Sequence, residues 1–241
     1  MASHRQRLRP IADVVGDGNG PAGMSRREPR RYAFGTMTGS EHARAYLDSV
    51  RTLAGMIDPT AIDAMARGIA AVRSRGGRLF IVGVGGGAGH ASHAVNDFRK
   101  LCHLESYTPT DNVSELTART NDDGWETSFT SWLTVSRLGD RDGVLAFSVG
   151  GGSRDRRVSL NLVGAIEQAH EIGASVFAIV GSRDGTAAQL ADVAIVIEAP
   201  PALKTPLVES FQAVIWHALV SHPELAAQAG HWESLESGTA G

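Results

Sequence analysis

The chain has 241 residues, 42% of them hydrophobic, with 28 glycines and a formal net charge of −3. That length supports one α/β domain with a buried core, and the near-neutral charge argues against nucleic acid or an acidic membrane as main partner. Cys102 is the only cysteine, which excludes an internal disulfide and fits a reducing cytoplasm. No apolar run nears the ~20 residues of a membrane helix, and Met1-Ala2-Ser3-His4-Arg5 lacks the apolar core of a secretory signal. We expect a cytoplasmic protein.

Residues 1–38 are rich in Arg, Gly and Pro and read as a flexible arm. Its cluster Arg26, Arg27, Arg30 and Arg31 is either a solvated tail or a contact for an acidic partner. Ser40 is expected to cap a first helix with an apolar stripe at Ala43, Tyr46, Leu47, Val50 and Leu53. Asp58-Pro59 opens a second through Ile62, Met65, Ile69 and Val72, and Gly76-Gly77 ends it. Strands are then expected at 78–83, 143–148, 175–180 and 193–197. Helices are expected near 88–101, 124–137, 158–172, 185–191 and 205–221. Short apolar strands separated by helices predict a mostly parallel sheet in a three-layer αβα sandwich. Residues 39–222 would form this domain and 223–241 a tail.

The chemistry gathers after the first strand. Phe80-Ile81-Val82-Gly83 runs into Gly85, Gly86 and Gly87, then a helix with His93 and Asp97 one turn apart. A loop nearly free of side chains lets backbone N–H groups close on an anion, and the helix adds its positive end. A second loop, Ser148-Val149-Gly150-Gly151-Gly152-Ser153, follows the strand Val144–Phe147. In parallel sheets ligands bind beyond the carboxyl ends of the strands, where both loops fall. On the last helix Glu209 and His217 are eight residues apart on nearly one face. The pairs His93/Asp97 and Glu209/His217 suit a metal site or an acid/base pair, although helical His–carboxylate pairs are also ordinary surface features. The stretch Ser114–Trp125 reads as a turn and helix cap through Asp122 or Asp123.

Taken in order, Gly83–Gly87, Ser92–Asp97, Ser114–Ala118 with Asn121-Asp122, Ser148–Ser153, Gly181–Gly185 and Glu209–His217 resemble the SIS-domain phosphoheptose (sedoheptulose 7-phosphate) isomerases. The resemblance covers residues 40–222. It implies a flavodoxin-like SIS fold, N-terminal helices used in oligomerisation, and a homotetramer with shared active sites. It also implies a Zn2+ held by His93, Asp97, Glu209 and His217, with Asp97 and His217 as acid and base. Ser114, Asn121 and Asp122 would lie at the sugar, and Gly85, Gly86, Gly87, Ser148, Gly150 and Ser153 would contribute to substrate binding.

Three positions depart from the family pattern. Val84 and Gly87 stand where an asparagine and a serine are usual, and Gly150 where a serine is usual. The segment Arg154–Asn161 is longer than in typical members and brings Arg154, Arg156 and Arg157. These arginines either replace the lost hydroxyls, since guanidinium pairs with phosphate, or form a solvated turn. The expected activity is an aldose–ketose isomerase interconverting sedoheptulose 7-phosphate and an aldoheptose 7-phosphate. The alternatives are a non-catalytic SIS-fold tetrameric binding protein and an isomerase of another phosphosugar.

Overall fold

The structure is a computed structural model that describes residues 38–227. Residues 1–37, with the arginine cluster, and residues 228–241 lie outside the described residues.

Helix α1 (Gly39–Met56) is capped two residues before the expected Ser40: Thr38 caps it, in a reciprocal box with Glu41. Helix α2 (Pro59–Ser74) is capped by Asp58, whose carboxylate accepts from the Thr60 N–H, with Pro59 in the first turn as expected. Strand β1 (Leu79–Gly83) leads almost directly into α3 (Gly86–Cys102). The first glycine run is therefore mostly the opening turn of a helix rather than a loop. Close packing requires it, since a Cβ on Gly83 would come within 2.3 Å of the Gly87 carbonyl oxygen.

A two-residue strand β2 (Ser106–Tyr107) and helix α4 (Val113–Asp122) follow, neither anticipated from the sequence. Asn112 caps α4, and an Arg119–Glu115 pair braces it. Asp122 or Asp123, expected to cap the helix that follows, does not: that helix is entered through Gly124 and Thr127 with no side-chain cap. No residue of α4 is buried, so there was no apolar stripe to read. The helix expected at 124–137 is a 3-10 turn (Trp125–Thr127) and then α5 (Ser128–Val135), entered through Gly124 at φ 88°. Strand β3 (Gly143–Ser148), α6 (Leu160–Ile172), β4 (Ser175–Val180), α7 (Thr186–Leu190), β5 (Val193–Val196) and α8 (Lys204–Val220) complete the alternation.

The five strands are all parallel, in the order β2-β1-β3-β4-β5. Their side chains alternate. Phe80, Val82, Val144, Ala146, Val176 and Ala178 pack in one layer with Phe129 and Leu133 of α5 and Leu162 and Ile166 of α6. The intervening residues face the other layer of helices, where a Cβ on Gly68 of α2 would touch the Phe177 ring at 2.6 Å. Burial of both faces explains why the strands read as continuous apolar runs. The order places the reversal of winding between β1 and β3, whose carboxyl ends carry the two glycine segments.

At the opposite end of the sheet, the Asp142 carboxylate accepts from the Arg78 backbone and guanidinium and from the Gly139 N–H. Burial works to raise this carboxyl, but the Arg78 side chain and the two backbone donors outweigh it and hold it below the ordinary carboxylate range. The packed region also continues beyond residue 222. Leu225 is fully buried, and Arg73 donates to the carbonyls of Cys102, Glu224 and Leu225. Burial pushes the Cys102 thiol up to about 11, which leaves it a core residue with little thiolate.

Candidate functional site

Helices α3 and α8 lie side by side and run in the same direction, so their turns meet in sequence order. Gly86 faces Glu209, His90 bonds to Gln212, and Asp97 bonds to Trp216 beside His217. The glycine end of this seam lies at the carboxyl edge of the sheet, and a Cβ on Gly87 would sit 2.7 Å from the Phe147 carbonyl oxygen.

The far end of the seam holds three groups. Ligand atoms of His93, Asp97 and His217 all lie within 4.8 Å of one another, a set able to hold a metal ion. Both imidazole Nε2 atoms stand 3.5 Å from the same oxygen, Asp97 Oδ2. Asp97 is only 3% exposed, while both histidine rings reach solvent. The Trp216 indole N–H donates to Oδ2 at 3.1 Å and the Asn96 amide to Oδ1 at 3.0 Å, which fixes the carboxylate. His217 Nδ1 lies 2.8 Å from the Ala213 carbonyl one turn earlier. A carbonyl only accepts, so Nδ1 carries the hydrogen, and neutral His217 offers the Nε2 lone pair to the cluster.

Glu209, expected as the fourth ligand, is outside this group. Its carboxylate lies instead against Gly86 in the first turn of α3, where both oxygens would be 2.6 Å from an added Cβ. A helix N-terminus favours negative charge, and the missing side chain at Gly86 leaves room for it. Of the four expected ligands, three come together, and the Glu209 carboxylate stands two turns away along the seam.

The second glycine segment folds tightly over the start of α7. Gly151 and Gly152, at φ 76° and 75°, turn their carbonyls to accept from the Ala187 and Thr186 N–H groups. Ser148 Oγ accepts from the Gly151 N–H, and Ser153 Oγ from the Arg156 N–H. Gly85 and Gly150 are exposed, with nothing near an added Cβ. The inserted residues close on themselves: Ser153 and Val158 exchange two backbone hydrogen bonds of 3.0 Å. Within that turn Arg154 is bound by Glu167 and Arg157 by Glu126 at 2.7 Å, so neither is a free phosphate ligand. Ser114, Asn121 and Asp122 are exposed on α4; Asn121 donates to Asp122, and none of the three hydrogen bonds to a glycine segment or the His–Asp–His cluster.

One histidine on this seam was not singled out in the sequence. His90 Nδ1 lies 3.0 Å from Gln212 Oε1, and Gln212 is fully buried. The spacing His90, His93, Asp97 marks a single helical face and could have revealed it.

No family model matches the chain. It is 36% identical over 187 residues to the lincomycin biosynthesis protein LmbN of Streptomyces lincolnensis, covering 73% of this chain and 66% of that one, just under two thirds of its length. It is 30% identical over 159 residues to a probable phosphoheptose isomerase of Thermoplasma volcanium (64% of this chain, 77% of the relative). Identity is also 30%, over 150 residues, with the phosphoheptose isomerase of Rhodospirillum rubrum (60% and 74%). Among solved structures, the phosphoheptose isomerase of Francisella tularensis matches with a TM-score of 0.67 at 21% identity, over 76% of this chain and 97% of that one. The phosphoheptose isomerase GmhA of Neisseria gonorrhoeae gives 0.65 at 22%, over 75% and 95%. At such identities the structural likeness is one of fold. With sequence identity, coverage and order of motifs agreeing, the chain belongs to the phosphoheptose isomerase family.

Proposed function

We propose that the protein is an aldose–ketose isomerase that interconverts sedoheptulose 7-phosphate and an aldoheptose 7-phosphate. The observation that carries this is the convergence of His93, Asp97 and His217 at one end of a seam whose other end is the glycine edge of the sheet. The reaction moves one hydrogen between adjacent carbons and one between their oxygens, through an enediol. Asp97, held by Trp216 and Asn96, accepts the proton from carbon and returns it to the neighbouring carbon. His217, with Nδ1 committed to Ala213, uses Nε2 to take the hydroxyl proton and return it to the adjacent oxygen. The backbone donors near Gly150, with Ser148 and Ser153, bind the distal phosphate.

His93, Asp97 and His217 offer three N/O donors that fit Zn2+, with His217 Nε2 oriented by the bond of Nδ1 to Ala213. An ion held there would take up the Nε2 lone pair, so metal binding and proton transfer at His217 are alternative uses of that atom. If bound, such an ion would supply polarisation of a sugar oxygen. Self-association to a homotetramer is supported by the bare faces of α1 and α4. Leu47 and Met56 on α1, Val113 on α4 and Trp125 just after it are large apolar residues left exposed. A neighbouring copy on these faces would bring Ser114, Asn121 and Asp122 to an active site.

A second reading, an isomerase for a different phosphosugar, is favoured by the likeness to LmbN, named for lincomycin biosynthesis, and by the open space at Gly150. Incubating the purified protein with sedoheptulose 7-phosphate and following the products by NMR tests the first reading. An aldoheptose phosphate supports it; binding without conversion moves the assignment to another phosphosugar.

A further inference from the structure

The geometry points to His90 as a substrate-contacting residue that sets specificity for the middle of the sugar chain, an inference that rests on the sugar-phosphate reading above. Gln212 fixes the argument. It is fully buried, and its amide nitrogen donates to the Ile179 carbonyl at 3.1 Å. Its oxygen therefore faces His90, and since an amide oxygen only accepts, His90 Nδ1 carries the hydrogen across the 3.0 Å contact. A relay running from the β4 backbone thus holds a neutral imidazole in one tautomer, with the Nε2 lone pair bare. Among the described residues Nε2 has no hydrogen-bond partner. Trp216 and Phe147, with ring centroids 5.1 and 6.4 Å away, hold the ring in place. A relay of this kind is wasted on a histidine that merely fills space.

Position decides what Nε2 would meet. Along α3, His90 stands one turn past Gly86 and ahead of His93 and Asp97, on the same face. Gly86 to Asp97 spans roughly 16 Å of helix at about 1.5 Å per residue. A phosphosugar reaching from the glycine edge to the His–Asp–His cluster therefore passes His90 with its middle hydroxyls. A bare imidazole nitrogen accepts a hydrogen bond from a hydroxyl, and it discriminates by the presence and configuration of that hydroxyl. His90 neither holds the metal nor moves a proton in this scheme; it reads the chain.

The test joins NMR and kinetics on the full-length protein. Long-range proton–nitrogen spectra at neutral pH should show His90 as the Nδ1–H tautomer. Adding sedoheptulose 7-phosphate should move its Nε2 resonance, whereas inorganic phosphate alone should not. His90→Leu should raise KM for the sugar phosphate roughly 5- to 20-fold and change kcat less, with bound metal unchanged. His90→Gln should restore part of the loss, because its amide offers an acceptor. An Nε2–H tautomer, or a His90→Leu enzyme with wild-type KM, overturns the proposal. If the wild type binds the sugar with the Nε2 shift but converts nothing, the isomerase reading fails and the His90 contact stands. If it converts the sugar with no Nε2 shift, only the His90 contact fails.

Discussion

Glu209 sets its carboxylate directly against Gly86, so close that any side chain at that glycine would displace it. A fixed negative charge therefore sits in the first turn of α3, where an anionic ligand would otherwise benefit from the helix dipole. Glu209→Gln keeps the shape and removes the charge. We expect it to strengthen binding of inorganic phosphate roughly two- to fivefold at low salt, with the gain shrinking as ionic strength rises. Titration calorimetry at two salt concentrations checks this, and unchanged affinity at low salt would show that phosphate binds beyond the reach of Glu209.

Asp97→Asn and His217→Ala should each lower turnover by roughly 10²-fold or more while circular dichroism stays native. Single-substitution kinetics with a folded-state control decide it. Near-wild-type turnover in either variant removes that residue from the proton path.

Metal analysis separates three ligands from four. Purified without chelators, the protein should carry one divalent ion per chain. His93→Ala should weaken zinc affinity at least ~10-fold, and Glu209→Gln should leave it nearly unchanged. Affinity should fall as pH drops, because a protonated imidazole has no lone pair to give. An equal loss in the Glu209 variant would mean that the carboxylate leaves Gly86 to join the ion.

The inserted turn should be dispensable for phosphate. Arg154→Ala and Arg157→Ala break exposed pairs with Glu167 and Glu126, which are worth little in water. Phosphate affinity should stay within about twofold of wild type in both. Ser153→Ala should weaken it roughly tenfold or more, since a hydrogen bond to a charged group is worth ~1.5–3 kcal/mol. A large loss at Arg157 would instead place that side chain at the ligand.

Stability should carry an acid signature from Asp142. Its folded carboxyl titrates below its unfolded value, so its stabilisation is complete above about pH 5 and is lost as pH falls through the depressed folded value. Asp142→Asn should cost about 2–3 kcal/mol at neutral pH and flatten the acid limb of the unfolding curve. Denaturant titrations between pH 3 and 7 measure both, and parallel acid limbs for the two proteins would refute the assignment.

What the sequence made legible followed burial. Strands such as Val176–Val180 are buried on both faces and read as continuous apolar runs, and the stripe Met65, Ile69, Val72 faces the core and announced a helical period. The α4 helix, with no buried residue, gave no such signal, and its residues from Ser114 onward read as a turn. In the site, helical spacing could pair His93 with Asp97 and Glu209 with His217, but spacing within one helix says nothing of how two helices are aligned. Glu209 and His217 share a face of α8, yet the parallel run of α3 gives each a different neighbour. His90 escaped notice because its partner, Gln212, is a neutral residue on another helix.

The matched course of α3 and α8 makes the seam unforgiving of changes in chain length. Deleting one residue of α8 between Glu209 and His217 would rotate everything beyond it by about 100° and swing His217 away from Asp97. The neighbouring excursion between Ser153 and Val158 is the opposite case. Closed at its base by a pair of backbone hydrogen bonds, it can lengthen or shorten without moving the loop below or α6 above. A change of length is tolerated in that excursion, whereas α3 and α8 can change only by substitution.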